Sequence, residues 1–221
     1  MNQVIFFKFQ EQIEDHVKNR CLSYEDPSHD ILHIDRVVLT AQELAIKENA
    51  DLNIVLPAAY LHDYINLPKN DSQRHLASQL SADEAIQFLK TISYPEKYLA
   101  DIHHAIAAHS FSAQIEPKTT EAKVVQDADR LDSLGAVGIA RCFAISGLLK
   151  RQFYSHIDPF NKSREPNDKQ FTLDHFYTKL LNVSSALKTK AAQIEGQKRL
   201  QFMNTFLTQL ESEIARSHNN R

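Results

Sequence analysis

The sequence predicts an all-helical protein. Its 221 residues suffice for one sizeable hydrophobic core, and the segments between prolines are long and rich in Ala, Leu, Gln, Glu and Lys, which favour helices. Apolar residues recur every three or four positions through most of these segments. Only 4 glycines occur and Gly135 is the first, which excludes a glycine-rich phosphate loop of the Walker or Rossmann type from the first half of the chain.

Each predicted helix follows from its own apolar spacing and end signals. The N-terminal helix carries Phe6, Phe9 and Ile13 on one face, and Asp51 is a predicted cap at the start of the third helix. In order, the predicted helices span 4–22, 31–49, 52–62, 73–91, 95–108, 120–134, 135–150, 173–187 and 189–215. Gly135 allows a break between the sixth and the seventh helix.

Polar or proline-containing stretches separate these helices. Residues 26–30 predict a turn with helix-start chemistry, 66–72 a polar loop, and 111–117 a connection. Residues 154–169, with two prolines, predict a surface loop or lid and not a domain linker. The tail 216–221 is expected to fray.

Charge and composition narrow the classes of partner and location. The net charge is −3, and the basic pairs at 188–190 and 198–199 are short, so nucleic acid is not an expected partner. No apolar run approaches about 18 residues, and the N-terminus lacks a basic start and a cleavage site, so neither a membrane span nor a signal peptide is expected. Cys21 and Cys142 lack zinc or redox spacing, which predicts buried thiols in a reducing compartment, the cytoplasm.

Four side chains predict a metal site. His62 and Asp63 follow an apolar helix, His33 lies upstream, and Asp129 lies on the predicted helix 120–134, which has one apolar face. Two imidazoles and two carboxylates suit one divalent ion that keeps open positions for water and substrate, and they do not distinguish Mn, Mg, Fe, Co, Ni and Zn. A lone His-Asp dipeptide is more often structural, and an Arg could equally pair with Asp129; the combined context favours the metal.

The order of these motifs resembles the HD-domain superfamily of metal-dependent phosphohydrolases, in particular a bacterial single-domain branch of uncharacterised members. The matching segments are 28–37, 61–63, 67–70 with Arg74, 109–112, 125–136 and 174–181. The resemblance implies one helical-bundle domain over 1–221, with a metal-site core at about 20–135 and C-terminal helices at about 136–215 packing on that core. It implies His33, His62, Asp63 and Asp129 as the ligands.

The same resemblance implies hydrolysis of phosphomonoesters, phosphodiesters or nucleotides, and some relatives of this branch split nucleoside triphosphates into monophosphate and pyrophosphate. Dinuclear relatives carry further histidines between the His-Asp pair and the last Asp. Here that interval holds His75, His103, His104 and His109, but at a different spacing. We therefore expect one metal, with His109 beside it or in contact with substrate.

Candidate substrate and proton-transfer groups lie near the ligands in sequence. Arg36 is three residues after His33, and Lys69 and Arg74 follow the His-Asp pair, so these three cations are predicted to bind phosphate, although an ion pair or a solvated loop also explains them. Asp63 or Asp132 could accept the proton of the attacking water. Arg130 is predicted to point away from the site.

The leading hypothesis is a hydrolase of a small phosphorylated substrate, a nucleotide first and a phosphomonoester second. A non-catalytic module that senses a nucleotide around a structural metal is the alternative. A two-iron oxygenase is disfavoured, because that chemistry uses more histidine ligands. The sequence leaves the oligomeric state open, and a homodimer is compatible with it.

Overall fold

A computed structural model describes residues 4–21, 30–65 and 73–218 of this chain. Its contacts divide the chain into two compact units. The first comprises Met1–Asp129 with Lys188–Ala192, and the second comprises Arg130–Leu187 with Gln193–Arg221. A single domain over 1–221 stays a prediction.

The described residues form an all-helical fold, as the sequence predicts. The α-helices are α1 (Gln10–Cys21), α2 (Ile31–Glu48), α3 (Leu52–Leu61), α4 (Ala77–Thr91), α5 (Leu99–His109), α6 (Thr120–Leu131), α7 (Gly135–Leu148), α8 (Leu181–Val183) and α9 (Lys190–His218). Short 3-10 helices span Ile5–Lys8, Arg74–Leu76, Glu96–Tyr98 and Ser184–Ala186, and a π-helix spans Phe176–Leu180. In the described part of the chain, strand-like pairing is limited to one isolated bridge between Gln152 and Phe171.

Helix α3 is the buried centre of the first unit. Every residue of α3 from Asn53 to Leu61 is buried, so this helix has no solvent face. It packs against α1, α2 and α5, while α4 packs mainly against α5. A helix that is apolar on all sides belongs in the core of a protein. His62 directly follows the last residue of α3 and is therefore also buried.

Side chains replace the hydrogen bonds that α3 lacks. Asp51 caps its start by accepting from the backbone N–H of Asn53 at 2.8 Å, as predicted. Pro57 has no N–H to donate to the carbonyl of Asn53, and the hydroxyl of Tyr94 donates to that carbonyl instead, at 2.7 Å. The Asn53 side chain accepts from the backbone N–H of Ile5 at 2.6 Å, which ties the N-terminal segment to α3.

The second unit contains the predicted surface loop at 154–169. This stretch is irregular, as predicted, and lies inside one unit, not between the two. Asp174 is fully buried beneath it and accepts two N–H bonds from the guanidinium of Arg164, at 2.6 and 2.7 Å. It also accepts from the side chain of Asn161 and from the backbone of Asn167. One carboxylate therefore fixes three points of the loop.

Several predicted helix ranges differ from those observed. The predicted helix 4–22 is observed as a 3-10 helix at Ile5–Lys8 followed by α1, and the predicted helices 73–91 and 95–108 each begin with a 3-10 turn. Helix α6 ends at Leu131, not at 134, because the Ser133 hydroxyl donates to the Arg130 carbonyl at 2.7 Å and Arg199 donates to the Leu131 carbonyl at 2.8 Å. These bonds occupy carbonyls that a longer helix would use, and Gly135 then adopts a positive φ of 70°. The segment predicted as a helix over 173–187 is instead a succession of π, α and 3-10 turns.

The remaining predictions from the sequence concern membrane spans, the two cysteines and the residues outside the helices. No single helix in the described ranges is long and apolar enough to cross a membrane, and α6 and α7 meet that test of length and composition only as a bent pair. Cys142 is buried, as predicted, and α9 extends to His218. The expectations for 26–29, 66–72 and 219–221, and for the side chain of Cys21, lie outside the described residues.

Candidate metal centre

Three helices bring the four predicted ligands together in the first unit. His33 lies in the first turn of α2, which Asp30 caps by accepting from the backbone N–H of His33 at 2.9 Å. His62 and Asp63 follow the last residue of α3, and Asp129 lies in the last turn of α6. Both histidines are fully buried, whereas the two carboxylates are partly open to solvent. The cluster therefore has a closed side of imidazoles and an accessible side.

The facing atoms lie at or slightly beyond the spacing of neighbouring ligands around one metal ion. The Nε2 atoms of His33 and His62 are 3.3 Å apart. The Oδ2 atom of Asp63 lies 3.6 Å from Nε2 of His33 and 3.5 Å from Nε2 of His62. The Oδ1 atom of Asp129 lies 3.6 and 3.9 Å from the same two nitrogens. Neighbouring ligands at about 2.1 Å from one ion are about 3.0 Å apart at right angles and about 3.4 Å apart at the tetrahedral angle.

The chemistry of the donor set fits a divalent cation. Nitrogen and carboxylate oxygen are the ligands that first-row divalent metals accept, and two carboxylates can offset a charge of two. Placing two carboxylates beside buried imidazoles is costly without a positive partner, and a metal ion supplies one. His33, His62 and Asp129 could together hold an ion, and so could His62, Asp63 and His109.

The backbone selects the form of His62 that binds metals. Its Nδ1 donates to the carbonyl of Ala59 at 2.8 Å, because a carbonyl oxygen can only accept, and the lone pair of Nε2 is left facing the cluster. Burial lowers the pKa of His62 to about 4, despite the nearby carboxylate of Asp63. The ring is therefore neutral at pH 7, which is the protonation state of a ligand.

His109 lies beside the cluster, at the last position of α5. Its Nδ1 donates to the carbonyl of Ile106 at 2.7 Å, and its Nε2 lies 3.4 Å from Oδ1 of Asp63. Burial works to lower the pKa of His109, but the hydrogen bond and charge of Asp63, with the charge of Asp129, outweigh burial and raise it. Asp63 thus directs one oxygen at the ligand nitrogens and the other at His109.

Two residues that the sequence did not single out hold the end of α5. The hydroxyl of Ser78 donates to the carbonyl of Ala107 at 2.9 Å, and Nε2 of Gln126 donates to the carbonyl of Ala108 at 2.7 Å. These bonds satisfy the carbonyls just before His109, which a helix end leaves without partners. The sequence signals for Gln126 are its place in the matching segment 125–136 and its position on α6, three residues before Asp129, where the two share a helix face.

Asp127 is a third residue whose role the sequence did not reveal. Its fully buried carboxylate accepts from the backbone N–H groups of Lys188 and Thr189 and from the Thr189 hydroxyl, at 2.7 to 3.0 Å. These bonds fasten the segment that precedes α9 to α6. Asp127 is therefore an anchor, although it lies only two residues from a predicted ligand.

The structure gives other predicted site residues different settings. Asp132 lies in the second unit, where Nη1 of Arg141 donates to its carboxylate at 2.6 Å, and its role as a proton acceptor stays a prediction. Arg36 and Arg74 are partly exposed, and their phosphate-binding roles also stay predictions. Lys69 lies outside the described residues.

Three further side chains near the candidate ligands in sequence make contacts of their own. Arg130, which the sequence predicts to point away from the site, donates to the carbonyl of Ala186 at 2.7 Å, a structural contact. His103 pairs with Asp83 on the surface, and His104 accepts from the backbone of Lys118.

Comparisons with known proteins agree on one family. A family model described as HD domain matches residues 31–134. The uncharacterized protein YpgQ of Bacillus subtilis (strain 168) is 35% identical over 208 residues, which cover 92% of this chain and 93% of YpgQ. A crystal structure of Bacillus subtilis YpgQ in complex with ADP matches with 34% identity and a TM-score of 0.74, over 94% of this chain and 95% of that one. An HD-superfamily hydrolase from Bacillus thuringiensis matches with 30% identity and a TM-score of 0.74, over 95% of this chain and 98% of that one. This chain belongs to the HD-domain superfamily.

Proposed function

We propose that this protein is a metal-dependent phosphohydrolase that acts on a nucleotide. The observation that carries the proposal is the convergence of four side chains: the Nε2 atoms of His33 and His62 are 3.3 Å apart, and one oxygen each of Asp63 and Asp129 lies 3.5 to 3.9 Å from these nitrogens. Membership of a superfamily whose solved relatives include named hydrolases supports the reaction class. The partial exposure of both carboxylates supports access for a substrate and for water.

The four side chains would hold one divalent ion, and His109 would act beside it. When bound, such an ion supplies Lewis-acid activation of a phosphoryl oxygen and lowers the pKa of a water ligand. Asp63 can accept a proton at Oδ1, the oxygen that faces His109 rather than the ligand nitrogens. Nε2 of His109 can then share that proton. We favour Asp63 over Asp132 as the acceptor, because Arg141 already donates to the carboxylate of Asp132.

The proposed substrate class rests on chemistry and on one related structure. ADP is the ligand in the crystal structure of Bacillus subtilis YpgQ, which aligns with this chain over nearly its whole length. The cations Arg36, Lys69 and Arg74 would contact the phosphates, since guanidinium and ammonium groups bind phosphate oxygens strongly. We favour cleavage of a nucleoside triphosphate into monophosphate and pyrophosphate, with removal of a single phosphate as the alternative reaction.

A nucleotide panel tests the proposal. Purified protein with Mn²⁺ would be incubated with nucleoside triphosphates and diphosphates, and the release of phosphate and of pyrophosphate would be measured separately. We expect pyrophosphate release that disappears in His62→Ala. His103→Ala is the matched control, because it removes a surface imidazole and leaves the four ligands in place.

The outcomes of the nucleotide panel distinguish the proposed reactions from one another and from a protein without activity. Pyrophosphate release establishes a nucleotide pyrophosphohydrolase, and phosphate release alone establishes a phosphatase. Turnover that persists unchanged in His62→Ala refutes the proposed centre. Tight nucleotide binding without turnover in Mn²⁺, Mg²⁺, Co²⁺ or Ni²⁺ refutes the enzyme in favour of a sensing module.

A further inference from the structure

The turn that follows His62 and Asp63 is held by side chains from other helices. Tyr64 and Ile65 carry the chain out of α3, at a helix end where backbone carbonyls lose their intrahelical partners. The backbone N–H of Tyr64 donates to the carbonyl of Leu61 at 3.2 Å. Because both ligands of the pair lie on this turn, whatever fixes Tyr64 and Ile65 also fixes the ligands.

Helix α1 holds Tyr64 through both its backbone and its ring. Nε of Arg20 donates to the carbonyl of Tyr64 at 3.1 Å, and the Arg20 guanidinium carbon lies 4.1 Å from the centre of the Tyr64 ring. Nε2 of His16 lies 2.6 Å from the Tyr64 hydroxyl. The His16 ring in turn stacks on Phe88 of α4, with 3.7 Å between ring centres. Tyr64 itself is buried.

Helix α4 holds Ile65 from the other direction. The buried hydroxyl of Ser81 accepts from the backbone N–H of Ile65 at 2.9 Å and lies 3.3 Å from its carbonyl oxygen. The backbone after Asp63 is therefore bonded to α1 at Tyr64 and to α4 at Ile65. Side-chain bonds of this kind over-determine a turn that would otherwise fray.

We propose that Arg20 and His16 are positioning residues for the His62-Asp63 pair, and that α1 thereby sets the metal affinity of the candidate centre. Helix α1 precedes the segment 31–134 that the HD-domain model matches, so this support lies outside the matched region. The inference rests on the proposed metal centre. Neither residue touches the metal in this account; both act through Tyr64.

The expected effect is on metal affinity more than on folding. Groups that orient metal ligands typically contribute about 10- to 100-fold to affinity, because ligands must be held within about 0.5 Å of their bound positions. Arg20 is exposed, so its removal leaves no cavity in the core. We therefore expect Arg20→Ala to weaken Mn²⁺ binding about tenfold while the metal-free protein stays folded.

Titration calorimetry of the metal-free protein with MnCl2 tests this inference. Asn19→Ala is the matched control, because Asn19 is the exposed neighbour of Arg20 on α1. We expect Asn19→Ala to bind Mn²⁺ like the wild type. Arg20→Lys keeps a cation near the Tyr64 ring, and we expect it to recover part of the loss.

The outcomes separate this inference from the proposed centre. Equal Mn²⁺ affinity in Arg20→Ala and Asn19→Ala, with binding in the wild type, overturns the role of α1. A wild type that binds no Mn²⁺ overturns the metal centre itself. If Arg20→Ala fails to fold, Tyr64→Phe decides the question. It removes only the hydroxyl that contacts His16, and we expect weaker Mn²⁺ binding than in the wild type. Unchanged affinity in Tyr64→Phe overturns the inference.

Discussion

The two units each contain carboxylates that are at least partly buried, but the side chains that surround these carboxylates differ in kind. In the second unit, Asp174 receives the guanidinium of Arg164 and the N–H groups of Asn161 and Asn167. In the first unit, Asp63 and Asp129 instead face the imidazole nitrogens of the cluster. An arginine supplies a full positive charge, whereas a neutral imidazole supplies a lone pair.

This difference separates a structural carboxylate from a candidate ligand. A buried charge needs either a paired cation and hydrogen bonds or a metal ion. Asp174 has the first arrangement and holds a loop in place. The cluster of Asp63 and Asp129 has the donor atoms for the second, and burial keeps His62 neutral beside them. Removing the two kinds of carboxylate should therefore have different consequences.

Asp174→Asn is expected to give the largest change in stability. The substitution leaves the guanidinium of Arg164 partly buried without its anion, and breaking a buried ion pair costs about 3–5 kcal/mol in the free energy of unfolding. Urea unfolding of the two proteins at pH 7 measures this cost. Glu211→Gln, which removes the exposed partner of Lys162, is the control and should change stability little, because solvent screens an exposed ion pair. Equal losses of stability in the two variants would show that the buried ion pair contributes no more than the exposed one.

Metal removal should give the next largest change in stability. This change should depend on the candidate ligands, which lie in the first unit. Saturating the wild type with Mn²⁺ at about 100 times its dissociation constant should stabilise it by about 2.7 kcal/mol relative to protein in EDTA. Asp129→Ala should lose this difference and its metal-dependent turnover while keeping its helical content. Thermal unfolding with and without Mn²⁺ measures the stability difference, and circular dichroism measures the helical content. A Mn²⁺-dependent rise in the melting temperature of Asp129→Ala would contradict the ligand assignment.

Asp127 provides a third kind of carboxylate, which caps backbone N–H groups. Asp127→Ala removes the acceptor for the N–H groups of Lys188 and Thr189, and losing such a cap costs about 1–2 kcal/mol in the free energy of unfolding. Asp127→Asn keeps one oxygen acceptor and should cost less. Urea unfolding of the three proteins measures this order. A larger loss in the Asn variant than in the Ala variant would rule out the capping role.

The smallest expected effect is the pH dependence of the Asp174 contribution. Burial works to raise the pKa of Asp174, but the hydrogen bonds from Arg164, Asn167 and Asn161 and the charge of Arg164 outweigh it and lower this pKa. A depressed folded-state pKa stabilises the protein fully above the unfolded value of about 4, and the benefit fades as the pH falls through the folded value. The stability difference between wild type and Asp174→Asn should therefore be constant from about pH 7 to 5 and shrink below about pH 4. Urea unfolding across this range measures it, and a difference that grows on acidification would contradict the assignment.

The sequence predicted most of the helices because apolar spacing and caps are local signals. It predicted the four candidate ligands because they belong to a family motif. Apolar spacing marked α2 and α3, and Asp51 marked the start of α3. His33, His62, Asp63 and Asp129 were found together because their order matches one family pattern. The family and the helical fold are confirmed by the comparisons, whereas the metal and the substrate stay proposals.

The contacts that position the site could not be predicted, because they join residues far apart in sequence. Arg20 and Tyr64 are 44 residues apart, and Gln126 and Ala108 are 18 apart. Nothing local distinguishes Arg20 from the other cations of α1. The end of α6 was placed three residues too late for the same reason, since the Arg199 side chain that satisfies the Leu131 carbonyl comes from α9, 68 residues away.

Mn²⁺ titration of the metal-free wild type and of Asp129→Ala, with Asp174→Asn as the control carboxylate variant, tests whether the cluster in the first unit is a metal centre. We predict one Mn²⁺ per chain in the wild type and in folded Asp174→Asn, and none in Asp129→Ala at the same concentrations. Binding that survives in Asp129→Ala, or that disappears in folded Asp174→Asn, would contradict the assignment of Asp129 as a ligand.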